Sequence, residues 1–330
     1  MNTPRLALIC CLATGFAWAG QLELDKKWIK AHMNQATSGP ITFRIREAKS
    51  QVNDIGSSGD DGDLHIAGSS EQVGLPMVAE IINARKSPAA VKFAQDNPGK
   101  DVTMNGVWRI WFEHPPSGAT KQKQFANNPL TGDKTNPDHM FEIHPISLLD
   151  TSDLTANLTR VEGYKSQVNE TIFKHYESRV IDSWKVTADS VIIVSKRALY
   201  NYADFVIRLT ETPKEIKKNE DKSGRYMAQA DILDNDCSVI MSGGKPVLSE
   251  PKRMVFVEQD AKKVIGGAKA GATFHVMGIP RVNLERLTSY LNHPDRLEGK
   301  QPLLPYEMII IGAEAQTCRT APARPSRGSH

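Results

Sequence analysis

The chain has 330 residues, with 41 Lys and Arg against 38 Asp and Glu, for a formal net charge of +3. So even a balance excludes a general electrostatic pull toward nucleic acid or anionic membrane and leaves only a local basic groove open. The length exceeds what one hydrophobic core usually serves, so two domains are expected.

In chain order, residues 1–19 read as a secretory signal. Arg5 is the positive start, 6–16 the apolar run, and Ala17-Trp18-Ala19 the small-residue cleavage site. The run is too short to span a bilayer comfortably. The expectation is a periplasmic or secreted chain that begins near Gly20 after cleavage. No later stretch is long and apolar enough for a membrane helix. Residues 20–40 read as a polar lead-in with a helical turn at 25–33.

From residue 41 the pattern changes to short strand-like runs at 41–48, 64–67, 77–82, 102–112 and 140–149. The Gly- and Ser-rich piece at 56–62 is a loop, 87–96 fits a short helix, and 118–138 reads as a long exposed loop. Five strands with a helical insertion point to a small closed barrel of the oligonucleotide/oligosaccharide-binding (OB) type over 41–150. An open meander or half of a sandwich competes with it. Residues 151–170 read as a linker. A second β-rich unit follows at 171–318, with a helix at 165–182, strands at 191–194, 204–209, 225–232, 253–258, 273–277 and 306–311, and an amphipathic helix at 282–291. Its order of strands, helix and final strand also fits a barrel. The fold class expected is therefore mainly β with a few helices, α+β. The mixed-charge run at 214–222 suits a solvated hairpin tip, and 319–330 a disordered tail. The string Lys-Ser-Gln-Val-Asn occurs at 49–53 and again at 165–169; nothing around the two copies matches, so chance explains it.

Cys10 and Cys11 lie in the signal, which leaves Cys237 and Cys318 to pair as one disulfide or stay as two thiols. No phosphate-binding glycine loop, dinucleotide fingerprint or Gly-x-Ser-x-Gly elbow is present. Arg281, in Ile279-Pro280-Arg281-Val282-Asn283, could face an anion, or the segment could simply start a helix.

Chemistry concentrates elsewhere. Four of the nine histidines (His65, His114, His139 and His144) fall between residues 65 and 144, beside Asp63, Glu113 and Glu142. Strand periodicity puts Asp63 and His65 on one face, opposite Leu64 and Ile66. It likewise pairs Glu142 with His144, opposite Phe141 and Ile143, and makes Arg109, Trp111 and Glu113 alternate with Ile110 and Phe112. If the apolar faces share one core, the polar ones lie outside the barrel, where an OB ligand face would be. Three readings follow. As a ligand-binding site, Arg109, Asp63, His65, Glu142 and His144 orient a ligand or protein partner while Trp108, Trp111 and Phe112 stack on bases or sugars. As a metal site, Asp63, His65, Glu142 and His144 hold zinc or manganese for a hydrolase in which Glu113 or His114 is the general base. As structure, the same groups pair with strand ends and each other. The leading expectation is an exported binding protein of unknown specificity; the metal-dependent hydrolase is the alternative. Nucleic acid stays open as a partner but is not indicated by net charge.

The succession Asp61-Gly62-Asp63-Leu64-His65, then Glu80, then Gly106, then Glu142-Ile143-His144-Pro145 resembles a group of exported bacterial proteins of unknown function. These carry Asp-Gly-Asp-(Ile/Leu)-His and Glu-(Ile/Leu)-His-Pro elements on an OB-like barrel. The resemblance covers residues 41–149 and implies a fold and two marked strands, but no established activity. Asp-Gly-Asp at the second strand is also similar to staphylococcal-type nucleases, where the second Asp helps to hold calcium; Asp63 would correspond. The pattern departs at the third strand, where Glu80 stands in place of an arginine.

Overall fold

The computed structural model describes residues 20–56, 61–115, 121–128, 130–178, 180–216, 225–293 and 303–318. The expected signal and tail lie outside the described residues, as do Asp60 and residues 217–222 of the mixed-charge run.

The first unit opens with strand β1 (Gly20–Asp25) and helix α1 (Lys26–His32), inside the segment expected as a lead-in. The barrel itself is β2 (Ile41–Ala48), β3 (Leu64–Ser69), β4 (Pro76–Ile81), α2 (Pro88–Asp96), β5 (Asp101–Ile110) and β7 (Phe141–Leu149), with β6 (Lys121–Lys123) and β8 (Ser152–Asp153) as short additions. β2 pairs antiparallel with both β3 and β5, and β4 closes the ring by pairing parallel with β7. First strand beside second and fourth, third parallel to fifth, and a helix after the third make the connectivity of an OB barrel. The period-2 pattern explains the inward faces: Ile41, Phe43 and Ile45 are buried while Thr42 and Arg44 are exposed.

Next come α3 (Asn169–Ser178), β9 (Ile181–Val186) and β10 (Ser190–Ser195). β10 pairs with β9 and with β1, and β6 adds parallel to β1, giving a third sheet that joins the lead-in to the hairpin at 181–195. The segment expected as one long exposed loop therefore carries β6. Its Gln122 and neighbouring Gln124 are buried because their amides donate to the carbonyls of Asp138 and Val73, both at 2.9 Å.

The second unit contains β11 (Ala203–Leu209), β12 (Lys214–Glu215), β13 (Tyr226–Leu233), the small hairpin β14 (Met241–Ser242) and β15 (Lys245–Pro246), β16 (Lys252–Phe256), α4 (Ala261–Ile265), β17 (Thr273–Val282), α5 (Leu284–Asn292) and β18 (Tyr306–Ala315). β11 pairs antiparallel with both β13 and β17, and β16 runs parallel to β18. α4 follows the third strand. The second unit repeats the OB connectivity of the first. The repeated pentapeptide does not mark this duplication: one copy follows β2, and the other runs into α3, ahead of the second barrel. Cys237 and Cys318 are disulfide-bonded, tying the end of β18 to the loop after β13 at a Cα separation of 5.7 Å.

The barrels meet through one apolar cluster that includes Ile82 and Val107 from the first and Val255, Ile279 and Ile309 from the second. Leu158 and Val161, inside the expected linker, are buried in the same cluster. Two cross-strand ion pairs stand at matching places: Arg109 on β5 opposite Glu142 on β7, and Arg281 on β17 opposite Glu307 on β18. Each guanidinium also donates to the carbonyl just before the other arginine. Arg109 Nε reaches Pro280 O at 3.0 Å, and Arg281 Nη1 reaches Trp108 O at 2.9 Å. Arg281 is thereby committed to the interface between the barrels, with its charge met by Glu307, so the anion-facing expectation for it does not hold. Among the described residues, no helix is long and apolar enough to cross a membrane.

Candidate metal centre

Two glycines set the geometry of the site. Gly62 adopts φ +75°, open to glycine at little cost, and this turn lets Asp61 and Asp63 point into one cluster just before β3. Gly106 lies against Ile143, and any Cβ there would sit 2.6 Å from the carbonyl of Pro145. That close approach lets β5 shift register past Pro145, which has no N–H to give, and keeps Arg109 opposite Glu142.

The structure brings Asp63, His65, Glu142 and His144 together, and Glu80 is the link between them. His65 Nε2 lies 2.9 Å from Asp63 Oδ2 and 3.7 Å from Glu80 Oε1. His144 Nδ1 lies 2.8 Å from Glu80 Oε2 and 3.4 Å from Glu142 Oε2. Asp61 completes the group. Two sets have ligand atoms within 4.8 Å of one another: Asp61, Glu80 and His144, and Asp63, His65 and Glu80. Glu142 belongs to neither. Its carboxylate is held by Arg109 and by His139 Nε2 at 3.1 Å. The expected metal set of Asp63, His65, Glu142 and His144 is therefore corrected: Glu80 and Asp61 take the place of Glu142.

The expectation of an open ligand face is corrected as well. These groups lie on the outer face of the barrel, yet Asp61, Asp63, Glu80, Glu142 and His144 are all buried, and His65 keeps 14% of its side-chain exposure. The chain between β10 and β11 covers them. Tyr202 Oη meets His144 Nε2 at 2.8 Å, and Asn201 Nδ2 donates to Asp61 Oδ2 at 3.2 Å. Nor do the aromatic residues present a stacking surface. Trp108 and Phe112 are buried, and Trp111 packs edge-on to Tyr176 at 5.4 Å. Arg109 is fully buried and already paired, which removes it as a ligand anchor. Glu113 accepts from both terminal nitrogens of Arg109, at 3.1 and 3.2 Å, and His114 stacks on His139. Glu113 is thereby engaged by Arg109 and His114 by His139, so the general-base role expected for them gains no support from these contacts.

Electrostatics mark the same cluster. Burial, then the charges of Asp63 and Glu80, raise the Asp61 carboxyl well above its ordinary range. Burial and Asp63 do the same to Glu80. Burial opposes charge on Asp63 too, but the imidazole of His65 outweighs it and holds Asp63 low. Burial likewise works against an imidazolium at His65, yet Asp63 and Glu80 lift its pKa to about 9. At Glu142, Arg109 and the neighbouring histidines overcome burial and keep the carboxyl well below its ordinary range. Burial pushes His114 down to about 4. Three carboxylates crowded out of water, with one partner imidazolium, are a costly arrangement that a cation would relieve.

The donors suit a borderline divalent ion, since imidazole nitrogen with carboxylate oxygen fits zinc or manganese. Ligand atoms of a tetrahedral zinc site stand about 3.3 Å apart. The contacts at 2.8, 2.9 and 3.7 Å bracket that value. The outer partners are present as well: Asn53 Nδ2 donates to Asp63 Oδ1 at 2.5 Å, as Asn201 does to Asp61. These acidic and histidine groups could thus hold a metal ion. Asp61, Glu80, Asn53, Asn201 and Tyr202 were not among the expected site residues. Two of them carry a sequence signal: Asp61 as the first acid of Asp61-Gly62-Asp63, and Glu80 as the lone charge in the apolar run 76–82.

Two adjoining clefts, of about 280 and 420 Å³, open on the second barrel and share Gln229, Arg253 and Glu285. Arg253 there is already paired with Glu307 and Glu285.

No family model matches the chain, and no curated protein does. Among solved structures, the single-stranded DNA binding protein from Thermus aquaticus is similar over 87% of this chain and 95% of its own, at 10% identity and a TM-score of 0.21. A deletion mutant of that protein aligns over 94% and 100%, at 8% identity and 0.22. A murine DNA binding protein bound with ds DNA aligns over 82% and 92%, at 8% identity and 0.18. The OB assignment rests on this chain's own strand connectivity.

Proposed function

We propose that this is an exported binding protein of two OB-like barrels whose first barrel carries a divalent metal centre, zinc or manganese by its donors. The observation that carries the reading is the buried oxygen Asp61 Oδ1, which has no hydrogen-bond partner and belongs to a carboxylate 2% exposed, beside Glu80 and His144. Such a group is costly to leave without a proton or a cation. A bound ion would also fasten the 201–202 segment over the first barrel, because His144 and Asp61 are held from that side by Tyr202 and Asn201.

A hydrolase is the second reading, favoured by one observation: His65 keeps a side chain reachable from solvent. Elemental analysis of the dialysed mature protein tests the first claim. Retained zinc or manganese whose content falls in His144→Ala supports it. Metal-free protein with the same melting temperature in chelator and in zinc contradicts it. Turnover of an activated phosphodiester by the metal-loaded protein would favour the hydrolase; its absence beside full metal content leaves the binding protein.

A further inference from the structure

We propose that the centre holds two cations bridged by Glu80. The proposal deepens the reading above and depends on the cluster binding metal at all.

The donors divide into two matched half-sites. Each has one Asp, one His and a share of Glu80: Asp61 with His144 in one, Asp63 with His65 in the other. The two oxygens of Glu80 face apart, Oε2 toward His144 Nδ1 at 2.8 Å and Oε1 toward His65 Nε2 at 3.7 Å. A carboxylate presented in this way can serve one ion with each oxygen, at the separation of about 3.5–4 Å usual for two-metal sites. The aspartates are matched too. Asp61 is anchored on one oxygen by the Asn201 amide, and Asp63 on one oxygen by the Asn53 amide. The remaining oxygen of each is buried: Asp61 Oδ1 has no hydrogen-bond partner, and Asp63 Oδ2 meets the imidazole of its own half-site, His65 Nε2, at 2.9 Å. Five protein donors are more than one tetrahedral ion takes, whereas two sets of three leave both ions an open position.

The fold does not demand this arrangement. Carried through the strand register, His65, Glu80 and His144 correspond to Met227, Val255 and Ile309 of the second barrel. The same barrel is therefore built there on an apolar set. Arg109 and Glu142, by contrast, are matched by Arg281 and Glu307. What the two barrels share is the ion pair, and what the first has alone is the Asp, His and Glu group.

Metal content of the full mature chain, loaded with manganese and freed of excess, tests the inference. Two equivalents per chain are expected, with a low-temperature EPR spectrum of exchange-coupled ions. His65→Ala and His144→Ala should each keep one equivalent and give the signal of an isolated ion, and Glu80→Gln should lose the coupling. One equivalent in the unaltered protein, or two that show no coupling, overturns the bridged pair and leaves the metal centre standing. No bound manganese or zinc overturns both. The stoichiometry and coupling of the unaltered protein decide the matter even if a variant fails to fold.

Discussion

Arg109 shows what a buried charge requires. Its guanidinium is held by Glu142, Glu113 and the carbonyl of Pro280, so every donor direction that matters is met. Removing one partner of such a pair costs about 3–5 kcal/mol, whereas replacing both with apolar groups can be close to neutral. Arg109→Met is therefore expected to lower stability to urea by that amount, and the double change Arg109→Met with Glu142→Leu to recover most of it. Tyr202 acts through another residue, orienting His144 from its far nitrogen. Tyr202→Phe should weaken zinc affinity by about 10- to 100-fold while leaving the stoichiometry unchanged, as titration calorimetry would read. The sequence made Asp63, His65 and His144 legible, because polar groups at period 2 in apolar strands stand out. It misassigned Glu142, whose neutralisation by Arg109 depends on cross-strand register. Asn201 and Tyr202 carried no signal, since only tertiary folding brings them to the site.

At the scale of elements, strand alternation foretold nearly every barrel strand, and the helix between the third and fourth strands of the first barrel with them. The third sheet was not legible: β1 pairs with β10 across more than half the chain, and β6 hides among Gln and Lys whose burial depends on side-chain amides finding carbonyls. The duplication of the barrel was obscured because the second copy keeps the connectivity and the Arg–Glu pair but not the residues of the site. The disulfide acts on the second barrel alone, closing a separation of 81 residues between the loop after β13 and the end of β18. In the chain-entropy picture a loop of that length is worth about 4.5 kcal/mol. Reductant should lower the urea midpoint accordingly, with metal content unchanged. Metal lost on reduction alone would show that the two units are coupled more tightly than their contacts indicate.

For the molecule as a whole, pH separates the metal-free from the metal-bound state. Without metal, His65 holds its proton more tightly folded than unfolded, with a pKa of about 9 against 6.5. The stability this contributes is complete below pH 6.5 and is lost as the pH rises through about 9. Asp61 and Glu80, with raised carboxyls, act in the same direction. Asp63 and Glu142, held low, contribute above their ordinary values and lose that contribution only as the pH falls, so neither alters the slope in this window. With metal bound the ligands must be deprotonated, and binding strengthens as the pH rises. Melting temperatures between pH 6.5 and 9 should therefore fall in chelator and rise in zinc; parallel curves would contradict the metal centre. The most direct measurement is anomalous diffraction at the zinc edge from crystals of the zinc-loaded protein. Density among Asp61, Glu80 and His144, or among Asp63, His65 and Glu80, is the predicted result. Zinc found only at the surface, with the cluster free of anomalous density, would contradict it.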